Sequence, residues 1–141
     1  MTDKIRTVGV NHISLTVSDV ARSKAFYLAL FDAQHIRDLD LPSGPLCVMV
    51  IGQTALTLSN PPHKDKAIPG DRFDMNRIGL DHLSFNVPTF ADMKHAMEIC
   101  DAQGVQRGEP DDQRPGLPLF VMTIWDPDGI QLEITAPVDP D

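Results

Sequence analysis

The chain has 141 residues and a formal net charge of −8, with 12 Lys and Arg against 20 Asp and Glu. That length supports one domain with a real core, or two half-domains sharing one. An acidic balance without any basic cluster argues against nucleic acid and anionic membrane surfaces as partners.

Residues 1–8 are a polar lead-in with no apolar segment of the kind that directs secretion, and no run is long enough to span a bilayer. A cytoplasmic address is therefore expected. The first strand is predicted over 9–17, Gly9-Val10-Asn11-His12-Ile13-Ser14-Leu15-Thr16-Val17. Its alternation puts His12, Ser14 and Thr16 on one face and Ile13, Leu15 and Val17 on the other. Ser18 or Asp19 is placed to cap a helix. Val20, Phe26, Tyr27, Leu30 and Phe31 fall on one broad side of that helix, which ends at Asp32-Ala33. A strand is expected near 34–40, then a turn over Pro42–Pro45, an apolar strand from Leu46 to Ile51, and an alternating strand Thr54–Ser59. The first half reads βαβββ. Cys47 sits in the apolar strand and is read as a small buried hydrophobe, as is Cys100 further on.

Residues 60–78 form a polar connector without periodicity, a linker or a loop over a site, with His63 in it. The pattern then restarts. Gly79-Leu80-Asp81-His82-Leu83-Ser84-Phe85-Asn86-Val87 repeats the first strand 70 residues later, with Gly, His, Ser and Val in register. Thr89 is the equivalent helix cap, and Phe90, Met93, Met97 and Cys100 make a helical stripe closed by Gly104. Val105–Arg107 is expected to be a short strand and the Pro-rich 108–118 an irregular loop. Leu119–Trp125 is an apolar strand, Asp126-Pro127-Asp128-Gly129 a tight turn, and Ile130–Thr135 the last strand, followed by a frayed tail over 136–141. The second half is βαβββ as well, and an internal repeat of this size speaks to the fold more strongly than any single motif.

If the first and last strands of each half are neighbours, their outward positions share one surface. Glu133 lies there, flanked by Leu132 and Ile134, which point the other way. A mid-strand carboxylate on a curved sheet is expensive to desolvate unless paired or metal-bound. His12, His82 and Glu133 are therefore the candidate ligand set, suited to a divalent ion and leaving positions open for water and substrate. The competing reading makes each histidine a hydrogen-bonded filler and Glu133 an edge-strand residue in solvent or a salt-bridge partner of Arg107 or Arg114. Ser14 and Ser84 are candidates to orient a substrate, and Arg114 to meet a substrate anion, against a solvated loop arginine; His35 and His63 are candidate acid–base groups, read in preference as surface histidines.

The segments Asn-His-Ile-Ser-Leu-Thr-Val-Ser-Asp with the following Phe26-Tyr27, the second Asp-His-Leu-Ser-Phe, and Asp-Pro-Asp-Gly-Ile-Gln-Leu-Glu resemble the vicinal oxygen chelate superfamily of glyoxalases, extradiol dioxygenases and bleomycin-resistance proteins. The resemblance covers about 9–136. It implies a single α+β domain over 1–141, in which two βαβββ modules (about 9–59 and 79–136, joined by 60–78) form a curved mixed sheet or incomplete barrel with helices outside. It also implies a homodimer, whose modules pair within a chain or across chains. The implied ligand positions are His12, Thr57, His82 and Glu133. Thr57 departs from the carboxylate of glyoxalase I, and the remaining His-His-Glu set is similar to that of extradiol dioxygenases. The expectation is a metal-dependent enzyme acting on a small oxygenated molecule that chelates the ion. Fe(II) is favoured, with Mn(II), Zn(II), Ni(II) or Co(II) as alternatives. Glu133 serves as ligand or base, and Thr57 stands beside the substrate. A glyoxalase-type lyase or isomerase is the alternative reaction, and a non-catalytic binder of an antibiotic or metabolite the alternative function.

Overall fold

A computed structural model describes residues 4–138. The order of elements is β1 (His12–Thr16), α1 (Val20–Leu30), β2 (Ala33–Leu41), β3 (Gly44–Ile51), β4 (Thr54–Ser59), β5 (Leu83–Asn86), α2 (Phe90–Ala102), β6 (Asp111–Asp112), β7 (Leu119–Trp125) and β8 (Gln131–Pro137). One turn of 3-10 helix, Lys64–Lys66, interrupts the connector. The chain divides into two compact units between Ala67 and Ile68. The fold is α+β, two βαβββ modules as the repeat predicts, and each sheet is open and mixed. Among the described residues, no helix is long and apolar enough to cross a membrane.

In the first unit the strand order is β1-β4-β3-β2. The outer strands of the module do meet: β1 runs parallel to β4, while β4, β3 and β2 are antiparallel. Alternation decides the core. Leu15, Val17, Cys47, Met49, Ile51, Leu56 and Leu58 are buried on one face. Helix α1 packs against β2, β3 and β4 and buries Val20, Ser23 and Tyr27, three positions on one helical side. Each Leu or Met side chain so enclosed contributes about 1.5–3 kcal/mol of hydrophobic free energy. Asp19 is the residue that caps α1, accepting a hydrogen bond from the Arg22 amide at 3.0 Å.

The second unit repeats the arrangement in the order β5-β8-β7-β6, with β5 parallel to β8. Met122, Ile124, Leu132, Ile134 and Ala136 form the buried face, with Met93 and Cys100 of α2 among the buried residues of the unit. Thr89 caps α2 through the Asp92 amide, and Gly104 follows the helix at φ +65°. The glycines that open the repeat have a conformational reason. Gly9 and Gly79 sit at φ +131° and +151°, with open space where a Cβ would be, so backbone conformation is what calls for glycine there.

Three expectations need correction. The lead strands are shorter than 9–17 and 79–87, so that His82 stands just before β5. The strand expected at Val105–Arg107 is only a fragment: the Trp125 amide donates to Gln106 O and the Gly108 amide to Thr123 O. Pro110 has no amide to continue the ladder, and pairing resumes as β6 inside the Pro-rich segment read as irregular. The tail expected to fray from 136 carries β8 on to Pro137, with Ala136 buried; residues 139–141 lie outside the described part.

Candidate metal and substrate site

The face of each sheet opposite its helix holds the polar residues. In the first unit it carries His12, Ser14 and Thr16 of β1 beside Ala55, Thr57 and Ser59 of β4. In the second it carries Ser84 and Asn86 of β5 beside Glu133 and Thr135 of β8. The registers correspond: Ser14 stands opposite Thr57 as Ser84 stands opposite Glu133. Thr57 and Glu133 are therefore equivalent positions of the repeat, one a hydroxyl and the other a carboxylate.

His82 is held from both sides. Its Nδ1 donates to the Asp81 carboxylate at 2.7 Å, and its Nε2 lies 3.3 Å from Glu133 Oε2. A histidine that gives its Nδ1 proton to a carboxylate presents a lone pair at Nε2. Glu133 Oε2 is another acceptor, and two acceptors 3.3 Å apart repel unless a proton or a cation sits with them. The separation also suits two donor atoms that each sit about 2.1 Å from one ion. The Glu133 side chain is 21% exposed, so little water screens its charge. His12 repeats half of this arrangement: its Nδ1 bonds Asn11 Oδ1 at 2.7 Å, which leaves Nε2 free.

The hydroxyls are tied in pairs across the strands. Ser14 Oγ bonds Thr57 Oγ1, and Ser84 Oγ bonds Thr135 Oγ1, both at 2.5 Å. Behind His82, the Gln131 amide donates to the carbonyl of Asp81 at 3.4 Å and to Met75 Sδ at 3.2 Å. That part of the connector is also fixed by the Phe73 amide bonding Asp128 O.

Among the residues singled out from sequence, His82 and Glu133 are brought together, as are Ser14 and Thr57. His12 belongs to the first unit and is described with it. Arg107 does not serve Glu133: it is bound bidentately by Asp101 and also pairs with Glu109, which holds its guanidinium charged and the Asp101 carboxyl below its usual range. Arg114 grips Asp112 through Nε at 2.9 Å and through Nη2, and lies 5.7 Å from the centre of the Phe120 ring. Its hydrogen bonds push Asp112 down to about 2. Sequence reasoning missed Asn11 and Asp81 as functional positions. The signal was present: each immediately precedes its histidine in both copies of the repeat.

The profile of the Glyoxalase/Bleomycin resistance protein/Dioxygenase superfamily matches residues 9–134. The chain belongs to that superfamily. Among solved structures it is similar to a glyoxylase/bleomycin resistance protein/dioxygenase domain from Frankia sp. EAN1pec, at 26% identity and a TM-score of 0.80, covering 94% of this chain and 99% of that one. It shares its fold with the fosfomycin resistance protein FosX of Listeria monocytogenes, solved as a mutant with Mn(II) and a dihydroxypropylphosphonic acid (18% identity, TM-score 0.71, 94% and 92% covered). FosX of Mesorhizobium loti has the same fold at 17% identity and a TM-score of 0.68, with 96% and 94% covered. No curated protein matches the chain significantly. As a member of this superfamily, the chain has metal-dependent enzymes among its fold relatives.

Proposed function

We propose that the protein is a divalent-metal-dependent enzyme acting on a small molecule that offers the ion two neighbouring oxygens. His82 and Glu133 hold the ion with His12 as third ligand, contributed by the same chain or by a second copy in a homodimer. The observation that carries this reading is the pair of acceptors at His82 Nε2 and Glu133 Oε2, 3.3 Å apart, with the imidazole fixed from behind by Asp81. The ion would supply Lewis acidity and a fixed orientation for the substrate oxygens, and as Fe(II) it would also permit dioxygen-dependent cleavage. The His-His-Glu set points to dioxygenase chemistry and to Fe(II); Mn(II), the ion found with the Listeria FosX mutant, is the second choice.

The chain's own groups have distinct parts in this reading. Asp81 and Asn11 orient the imidazoles and hold their protons at Nδ1. Glu133 would offset the charge of a bound ion, and its carboxylate is the group placed to take a substrate proton. Thr57 brings no charge, so its side of the site is left to substrate, with the Ser14–Thr57 and Ser84–Thr135 hydroxyl pairs as hydrogen-bonding positions. Arg114 already holds Asp112 through Nε and Nη2, so only its remaining donors would be open to a substrate anion. A cytoplasmic location belongs to the same reading.

Metal analysis of protein prepared without oxygen tests it, followed by assay with catechols and hemithioacetals. The expected result is bound ion that is lost in His82→Ala, with turnover of one substrate class. Protein that carries no divalent ion and gains no thermal stability from Fe, Mn, Zn, Ni or Co would leave only a binding protein for an antibiotic or metabolite.

A further inference from the structure

A second group of ligand-bearing side chains lies on the first unit, on the helix-covered face of the sheet. A ring nitrogen of His35, a carboxylate oxygen of Asp38 and the sulfur of Cys47 all lie within 4.8 Å of one another. Strand positions three apart ordinarily point to opposite faces. Here the register slips between His35 and Arg37, so that His35 stands opposite Met49 while Asp38 stands opposite Cys47. Directly opposed residues share a face, and Met49 and Cys47 are both fully buried in the core. The bulge therefore turns His35 and Asp38 to the same side and leaves Ile36 exposed instead. His35 Nε2 and Asp38 Oδ1 are 2.9 Å apart, and Lys24 Nζ of α1 lies 2.7 Å from Asp38 Oδ2.

We propose that His35, Asp38 and Cys47 form a second cation site, for a borderline divalent ion such as Zn(II), independent of the His82–Glu133 pair. One nitrogen, one oxygen and one sulfur donor suit Zn(II) and discriminate against Mn(II) or Mg(II), whereas the first site offers nitrogen and oxygen only. The imidazole and the carboxylate are exposed, so a fourth position stays open to water. In the cation-free protein the Lys24 ammonium holds the place of the ion on Asp38. Cys47 is a free and fully buried cysteine, a neutral thiol in that form. Binding forms a sulfur–metal bond, releases the thiol proton to solvent and sets Lys24 free.

Cobalt(II) titration of the full chain reads the sulfur directly, through the near-ultraviolet thiolate-to-cobalt charge-transfer band. The band should grow in as the ion is added, saturate at one equivalent in Glu133→Gln, survive Cys100→Ser, and vanish in Cys47→Ser. Because Cys47 is buried, His35→Gln serves as the exposed variant: it should remove the band with an unchanged circular dichroism spectrum. Lys24→Met removes the competing ammonium and should tighten binding about threefold, the weight of one exposed ion pair. A wild-type protein with no such band, a band that survives Cys47→Ser, or Lys24→Met loosening the ion would each overturn the proposal.

Discussion

Replacing Glu133 by glutamine removes one negative charge from the polar face of the second sheet while keeping the length and shape of the side chain. In the metal-free protein the cost should be small. The partner across the 3.3 Å gap is a histidine whose side chain is 41% exposed, and pairs of that kind are worth about 0–1 kcal/mol. With a divalent ion bound, the cost should be large. Two positive charges about 2.1 Å from one negative charge attract by about 4 kcal/mol even at the dielectric of water. Glu133 is 21% exposed, so water screens the attraction less than in bulk, while the desolvation of the carboxylate works against it. About 4 kcal/mol is about a thousandfold in Kd. Thermal denaturation with and without Mn(II) makes the contrast visible, since Mn(II) is an ion that sulfur donors such as Cys47 disfavour. At about 100 times its Kd, Mn(II) should stabilise the wild type by about 2.7 kcal/mol. At about 2–4 °C per kcal/mol, that is a rise in Tm of about 5–10 °C. The same concentration lies well below the Kd of Glu133→Gln and should leave its Tm unchanged. A Glu133→Gln protein with a metal-free Tm near wild type and an undiminished Mn(II) shift would refute the assignment of Glu133 as a ligand.

Asp81→Asn keeps a hydrogen-bond acceptor for His82 Nδ1 but removes its charge, and should weaken Mn(II) binding about 10–100-fold, read by titration; unchanged affinity would remove Asp81 from the site. The Ser23 hydroxyl is fully buried without a hydrogen-bond partner among the described residues, so Ser23→Ala should be neutral or stabilise by up to about 1 kcal/mol. A loss of more than about 1 kcal/mol in urea denaturation would mean that Ser23 Oγ has a partner. Asp112 is held near 2 by Arg114 against an ordinary 3.8. A depressed carboxyl contributes stability that is complete above the higher value and lost as pH falls through the lower one. Asp112→Asn should therefore flatten the fall of Tm between about pH 4 and pH 2, and an identical slope in both proteins would dismiss the pair as a source of acid sensitivity.

The repeat was legible because it rests on local rules. Alternation in 12–16 and 83–86 fixes which side chains share a face, and the parallel pairing of β1 with β4 and of β5 with β8 follows once both halves read βαβββ. Caps at Asp19 and Thr89 and the turn at Gly129 were readable for the same reason. What escaped was everything set by register. His35 is exposed and Cys47 buried, as their patterns predict, but no periodicity announces a bulge, so it was their meeting with Asp38 across the slip before Arg37 that could not be read. Proline density hid β6, since two residues of ladder need only two free amides. Arg107 and Arg114 were the alternative partners of Glu133, but each pairs with a carboxylate closer in the chain, Asp101 and Asp112.

The two copies of the repeat separate architecture from chemistry. Both spend a positive-φ glycine to enter the lead strand, both place an oxygen of the preceding residue 2.7 Å from histidine Nδ1, and both tie the following serine to a threonine on the last strand. These features orient and support, and they are conserved between the halves of one chain because each half needs them to present its histidine. The threonine that receives the serine marks where the copies part. In the first unit it is Thr57, directly opposite Ser14; in the second it is Thr135, two residues further along, and Glu133 takes the place opposite Ser84. A shift of two residues keeps the side chain on the same face, so the second unit retains the hydroxyl pair and gains a carboxylate beside His82. The negative charge is thus an addition to a scaffold already complete without it. A half-buried charge that the scaffold does not need for its own bonding is one whose counterpart should be sought in a ligand.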